Sequence, residues 1–141
     1  PPLPRPSTAL LSDSGRSDRS LAPPNVIRLS VLLQGTSPVA LIAAGHAGFS
    51  EAGTDIVCAA VSTLLQNLAV GAEDVVKIKG VEVVSKSQEG YFSITWPREE
   101  LLRVPCWNVL IQTTLRSLTI IESQYGDFLR ISEVHDYHES I

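Results

Sequence analysis

The sequence predicts an α+β fold: a two-layer sandwich in which a mostly antiparallel sheet carries two helices on one face, in the order β-β-α-β-β-α-β. Three observations predict it. Several short stretches alternate apolar and polar residues, two longer stretches repeat apolar residues at helical spacing, and turns with glycine or proline separate them. Strands that come in consecutive pairs favour hairpins, and the intervening helices then cover one face of the sheet.

A hairpin is predicted at the start of the globular part. Apolar residues at every second position from Ile27 to Leu33 indicate a half-buried strand. Residues 34–38 contain glycine and proline and predict a turn. The uncharged run 39–44 then predicts a buried second strand.

The first helix is predicted from apolar residues at helical spacing between Ile56 and Leu68. Thr54 or Asp55 has the side chain of an N-cap, and Gly71 is the expected C-terminal stop.

The second half of the chain predicts further strands and a second helix. Residues 75–87 are β-branched and predict one bent strand or two short ones, and residues 91–96 alternate like a strand before Pro97. Pro105 suits a first helical position, so a second helix is expected from there to about Gln124. Residues 128–134 predict the last strand.

Composition divides the chain into three parts. Residues 1–25 are rich in Pro and Ser without apolar periodicity, which predicts a disordered leader. Residues 26–134 are expected to form one domain, and residues 135–141 a loose acidic tail.

The charge and the cysteine count restrict the functional class. Eleven basic residues face fifteen acidic ones, so the net charge of -4 argues against direct nucleic-acid binding. Two cysteines do not make a disulfide framework, and a reducing, cytoplasmic setting fits them better. No signal peptide is apparent, and the apolar runs are interrupted by polar residues, so no membrane segment is expected.

The segment from Gly45 to Ser62 carries the chemistry. His46 lies in a loop punctuated by Gly45, Gly48 and Gly53, and Cys58 is expected in the first turn of the first helix. A thiol of ordinary pKa, about 8.5, is mostly protonated at neutral pH. A helix N-terminus and a protonated imidazole would both favour the thiolate, which predicts a cysteine nucleophile with a histidine partner.

Other residues near the pair have alternative explanations. Asp55 would cap the helix or orient His46, and Ser62, one turn after Cys58, is either an ordinary helical serine or a hydrogen-bond donor to sulfur or substrate. Cys58 itself could be a small buried hydrophobe. Cys106 is expected to pack inside the second helix.

The string Gly45-His46-Ala47, then Gly53, then Asp55-Ile56-Val57-Cys58-Ala59-Ala60-Val61-Ser62 resembles the signature of the ribosomal-processing cysteine protease family of bacteria. The likeness extends more loosely over residues 26–134, and the motif positions show no departure. The resemblance implies a catalytic dyad of His46 and Cys58, with Asp55 and Ser62 as supporting motif positions.

The resemblance also implies an activity. Members of that family are cytoplasmic homodimeric endopeptidases that remove a short N-terminal extension from the large-subunit ribosomal protein L-twenty-seven, beside aromatic residues. They need no metal or cofactor. Their glycine-rich loop, here Gly45 to Gly53 with Gly48 and Phe49, is expected to rearrange around the precursor peptide.

Two rival functions fit the same residues. A non-catalytic module of this fold could bind a ribosomal or peptide partner while Cys58 only packs. A redox protein could instead link two copies through Cys58 or Cys106. His135 and His138 have the spacing of a metal pair, but an exposed acidic tail is the preferred interpretation.

Overall fold

Five strands and three helices make up the part of the chain that the computed structural model describes, residues 26–45 and 52–136 (main chain only at residues 52–55 and 87). The strands are β1 (Ile27–Gln34), β2 (Ser37–Ala44), β3 (Glu82–Lys86), β4 (Tyr91–Thr95) and β5 (Leu129–Val134). The helices are α1 (Ala52–Val70), which a π-helical turn extends over Gly71–Val75, α2 (Glu100–Arg103) and α3 (Pro105–Gln124). The predicted leader and most of the predicted tail lie outside the described residues.

The strands form one sheet in the order β3-β4-β2-β1-β5. Neighbouring strands are antiparallel except β1 and β5, which are parallel. The predicted α+β class with a mostly antiparallel sheet is therefore confirmed, and the short helix α2 is the addition to the predicted element order.

Both long helices pack on the same face of the sheet. Alternate residues of β1, such as Leu29 and Val31, point into this core together with Leu41 of β2 and Ile94 of β4. The helices contribute buried stripes at helical spacing: Val57, Val61, Leu65 and Leu68 on α1, and Trp107, Ile111, Thr114 and Leu118 on α3.

Two tryptophans join the end of the sheet to the start of α3. The rings of Trp96 and Trp107 meet edge to face, with centroids 5.1 Å apart. The indole Nε1 of Trp96 donates to the carbonyl oxygen of Pro38 at 2.9 Å, which also holds the β1–β2 turn.

Helix α1 begins earlier than the sequence predicts, and a π-helical turn continues it beyond Val70. It begins at Ala52, so Thr54 and Asp55 are helical residues and their predicted role as the N-cap is wrong. The α-helix ends just before Gly71, as predicted, but Gly71 has no positive φ and the chain continues as a π-helical turn to Val75. A Cβ on Gly71 would lie 3.2 Å from Cδ1 of Leu110, so the glycine permits close packing against α3. The chain turns away at Lys77, which has a positive φ of 55°.

The strand predicted over residues 75–87 is correct only for Glu82–Lys86. The preceding residues form the end of the helix and a loop that Glu100 fastens. One carboxylate oxygen of Glu100 accepts the main-chain N–H of Lys79 at 2.8 Å. Arg103 donates to both oxygens of that carboxylate and to the carbonyl of Lys77. Glu100 and Lys79 are 21 positions apart in the chain, so the local pattern of apolar and polar residues does not predict this contact.

The length of this helical segment bears on the prediction that the chain has no membrane segment. Ile56–Val75 is long and apolar enough, by length and composition alone, to cross a membrane. In the fold its buried stripe packs against the sheet, and core helices commonly share this composition. The continuity of the helix through Gly71 makes the apolar stretch longer than the sequence predicts.

The ion pair between Glu100 and Arg103 makes the free energy of unfolding depend on pH in the acidic range. Hydrogen bonds from Arg103 and from the N–H of Lys79 lower the pKa of Glu100 from 4.5 to about 2. Because this pKa is lower in the folded chain, the carboxylate stabilises the fold above pH 4.5, and the contribution is lost as the pH falls towards about 2. We therefore expect Glu100→Gln to lower the free energy of unfolding at neutral pH, and its difference from wild type to shrink between these two pH values. Urea unfolding across that range measures it.

Glu99→Gln is the matched control. It removes the same charge at the neighbouring position, where the side chain is exposed. It should change the free energy of unfolding little at any pH. A difference between Glu100→Gln and wild type that stayed constant down to about pH 2 would contradict the assigned ion pair.

Candidate active site

A cavity of about 220 Å³ lies between α1 and the end of the sheet where β2 finishes and β4 begins. It is smaller than the roughly 300–1,000 Å³ of typical small-molecule sites. Its lining comes from α1 (Cys58, Val61, Ser62, Leu65, Gln66), from strands (Ile27, Ala43, Ser85, Tyr91, Phe92) and from Gly45 and Gly90. A space of this size suits a side chain of a larger ligand better than a whole cofactor.

One stripe of α1 provides the polar wall of this cavity. Cys58, Ser62 and Gln66 are four residues apart and therefore share a helix face. Each follows a buried residue of the core stripe by one position, which turns it about 100° away from the sheet. Cys58 is half-buried, whereas Ser62 and Gln66 are exposed. The thiol thus lies at the boundary between core and solvent, where it is partly buried and packs against the core.

The prediction that Cys58 lies in the first turn of its helix is wrong. Cys58 is the seventh residue from Ala52, so it belongs to the second turn. The unpaired N–H groups of a helix belong to its first four residues, and the dipole effect decreases within the first turn. The helix N-terminus therefore acts on the thiol less directly than the sequence suggested.

The described lining of the cavity contains no Asp, Glu, Lys, Arg or His. Its ionisable side chains are the thiol of Cys58 and the hydroxyl of Tyr91. Among these groups the thiol is the competent nucleophile near neutral pH. What this arrangement can do chemically is attack an electrophilic carbon held against a mainly apolar wall.

Gly45 closes the sheet end of the cavity. Its N–H donates to the carbonyl oxygen of Gly90 at 2.8 Å, which joins the end of β2 to the start of β4. Its φ is 103°, and a Cβ at this position would lie 2.5 Å from the carbonyl oxygen of Val26. Glycine is therefore required here for both conformation and space.

The structure brings together three of the predicted site residues: Cys58, Ser62 and Gly45 line the same cavity. Gly53, predicted for the flexible loop, instead lies in the first turn of α1. Asp55 is the fourth residue of that helix, and its supporting role stays a prediction.

Three predicted residues, His46, Gly48 and Phe49, lie outside the described residues. Their roles stay predictions.

Sequence reasoning missed Gln66, Ser85, Tyr91 and Phe92 as lining residues. Gln66 continues the four-residue spacing of Cys58 and Ser62, so that spacing could have revealed it. Tyr91 and Phe92 carry no such signal. They reach the cavity because β4 pairs with β2, which sets Tyr91 opposite Ala44 and Phe92 opposite Ala43.

The second cysteine differs from its prediction. Cys106 is exposed instead of packed, because the buried stripe of α3 begins at Trp107. Neither Cys58 nor Cys106 forms a disulfide. His135 is exposed, with its Nε2 3.1 Å from a carboxylate oxygen of Glu133. Within residues 26–45 and 52–136, no group of three or more His, Cys, Asp or Glu side chains could hold a metal ion.

Comparison with known proteins agrees with this fold. The family model of the cysteine protease Prp matches residues 26–130, most of the chain. The chain therefore belongs to the cysteine protease Prp family, and at the level of that family it is a peptidase. No curated protein matches it.

Solved structures show the same fold. SMU.848 from Streptococcus mutans is 25% identical with a TM-score of 0.71, and the match covers 79% of this chain and 96% of that one. The essential ribosomal processing protease Prp from S. aureus, in complex with a substrate peptide, is 24% identical with a TM-score of 0.68, over 77% of this chain and 100% of that one. The same protease with a covalently linked product peptide is 22% identical with a TM-score of 0.65, over the same shares.

Gly45→Ala tests the requirement for glycine at the cavity. We expect a loss of about 1–3 kcal/mol in the free energy of unfolding, because the main chain must move to relieve both the positive φ and the contact with Val26. Chemical denaturation measures this loss.

Gly35→Ala is the matched control. Gly35 also has a positive φ, of 63°, but a Cβ there meets nothing within 4 Å. The control should lose only the strain of the left-handed conformation, about 1 kcal/mol. Equal losses in the two variants would show that the close approach to Val26 contributes nothing.

Proposed function

We propose that this chain is a cysteine endopeptidase that removes the N-terminal extension from a large-subunit ribosomal protein of the L-twenty-seven type. One observation carries the proposal: in a member of a cysteine protease family, a half-exposed thiol lines a mainly apolar cavity beside solvent. The S. aureus relative is described as a ribosomal processing protease and was solved with a substrate peptide, which supports the class of substrate.

His46 is the proposed partner of Cys58. It is bonded directly to Gly45, and Gly45 lines the cavity with the thiol. Its place in the sequence, directly after a residue of the cavity wall, supports the choice of His46. In the proposed pair, the protonated imidazole of His46 accompanies the thiolate of Cys58. Asp55 and Ser62 support the pair.

The reaction follows from these two groups. The thiolate of Cys58 attacks the scissile carbonyl carbon, and the protonated His46 donates its proton to the leaving amine as the C–N bond breaks. Water then attacks the thioester while His46 accepts a proton from it. The acid is released and the thiol is restored. No metal or cofactor takes part in these steps.

The cellular setting belongs to the same proposal. A nucleophilic thiol needs reducing conditions, which supports the cytoplasm, where its ribosomal substrate is made. The family resemblance supports a homodimer. The acidic charge supports a protein substrate that is processed without direct contact to nucleic acid.

Substitution of the dyad is the direct test. We expect Cys58→Ala and His46→Ala to abolish cleavage of a synthetic peptide that spans the extension of the precursor, with the fold unchanged by circular dichroism. Mass spectrometry of the products measures cleavage. Cys106→Ala is the control and should cleave like wild type, because Cys106 is exposed on α3. Cleavage by either dyad variant would end this assignment, and binding without cleavage by the wild type would favour the non-catalytic module.

The alkylation rates of the two cysteines show whether Cys58 is chemically activated or whether solvent exposure alone determines its reactivity. Cys106 is exposed and Cys58 is half-buried, so exposure alone predicts faster alkylation of Cys106. We expect iodoacetamide near pH 7 to alkylate Cys58 faster, because the thiolate is the reactive form. Peptide mapping by mass spectrometry gives both rates in one sample. Faster labelling of Cys106 would argue against an activated Cys58.

A further inference from the structure

The polar stripe of α1 continues past the nucleophile. Cys58, Ser62 and Gln66 all line the cavity, and successive members are one helical turn apart. Four helical residues rise by about 6 Å. Two residues of an extended peptide span about 6.6–6.8 Å. Side chains on this stripe therefore match every second residue of a peptide that lies along the helix.

Ser62 and Gln66 already form a hydrogen bond. Nε2 of Gln66 donates to Oγ of Ser62 at 2.9 Å. A serine hydroxyl has one proton to donate, and a glutamine carbonyl oxygen accepts up to two bonds. Accepting the bond from Gln66 leaves the Ser62 proton, and the Gln66 Oε1 atom, available for a ligand.

Threonine hydroxyl groups on α3 use their protons within the helix, unlike the hydroxyl of Ser62. Thr113, Thr114 and Thr119 each donate to the carbonyl four residues earlier in their own helix. Among the described residues, Ser62 makes no bond of that kind. Its oxygen instead accepts from the side chain one turn further on, which orients its proton away from Gln66.

We propose that Ser62 and Gln66 bind the main chain of an extended peptide that runs along α1 away from Cys58. The Ser62 hydroxyl donates to a peptide carbonyl, and Oε1 of Gln66 accepts a peptide N–H about two residues further along. This inference rests on the proposed peptidase function and adds the direction of the substrate and the groups that hold it.

The surroundings of the pair fit a neutral, extended ligand. The described lining has no formal charge, which suits main-chain amides better than a charged group. Phe92 is half-buried and lines the same cavity, so it provides apolar surface for a side chain of the peptide. Both polar residues are exposed, so the peptide can extend beyond the cavity along the helix. Hydrogen bonds to the main chain can form with peptides of many sequences, and the apolar cavity wall then favours peptides with apolar side chains.

Peptide binding to the full chain tests the inference. The parent protein is Cys58→Ala, which binds without cleaving, and the probe is the synthetic peptide that spans the ribosomal precursor extension. We expect Gln66→Met to weaken the Kd about five- to tenfold, as for the loss of one net hydrogen bond. Gln66→Lys keeps a donor for Ser62 but has no acceptor, so it should lose the same factor. Calorimetry gives Kd, and thermal unfolding confirms that each variant is folded.

A second set of peptides locates the contact. In each, one main-chain amide is replaced by an ester, which removes a single N–H. We expect one ester to weaken binding to the parent protein and to have no further effect in Gln66→Met, since both changes remove the same bond. Fully additive losses at every position would overturn the inference.

Gln112→Met on α3 is the matched control. Gln112 makes the same type of contact, with Asn108 one turn earlier at 3.5 Å, but lies outside the cavity. Its Kd should equal that of the parent, and an equal loss in Gln112→Met and Gln66→Met would overturn the inference. Cleavage by wild type without any dependence of Kd on Gln66 overturns the inference alone. Binding that depends on Gln66, without cleavage by wild type, overturns the peptidase function alone. No binding of the peptide overturns both.

Discussion

The burial of one stripe of α1 against the sheet fixes the rotation of that helix, and the site depends on this rotation. Val57, Val61 and Leu65 are almost completely buried. The residues that follow each of them are then turned to the cavity at the edge of the core. A helix free to rotate would not hold a thiol and two polar side chains in one line. The apolar packing that stabilises the fold therefore also positions the nucleophile, and changes to the core stripe should affect both.

The cavity itself is a product of strand pairing. β2 and β4 are far apart in the chain, but their pairing brings Gly45 and Gly90 together at the same edge. His46 follows Gly45 directly in the sequence. Because the central strand β2 ends beside the polar stripe of α1, the cavity that Cys58 lines lies at this edge of the sheet. The same arrangement leaves the outer end of the stripe open for a peptide.

Local patterns predicted most of the fold. The long α3 begins at Pro105 and ends at Gln124 as its apolar spacing and its proline indicate. The hairpin of β1 and β2 follows from alternation around a glycine turn. The errors occur where a contact distant in sequence overrides a local signal. Gly71 follows the end of the α-helix as predicted, but the chain continues as a π-helical turn, and the glycine's lack of a side chain serves packing against Leu110. The strand expected from residue 75 is shortened because Glu100 and Arg103 hold the preceding loop.

The sequence by itself determined the family motif, the helix that carries Cys58 and Ser62, and the apolar stripe beside them, because these depend on residues within a few turns of one another. Only the tertiary structure decided that Cys58 lies in the second helical turn, that Gln66 shares its wall, and that Tyr91 and Phe92 complete the cavity. Helix length and strand pairing are settled by packing between distant segments, and the spacing of neighbouring residues does not encode which distant segment they will meet.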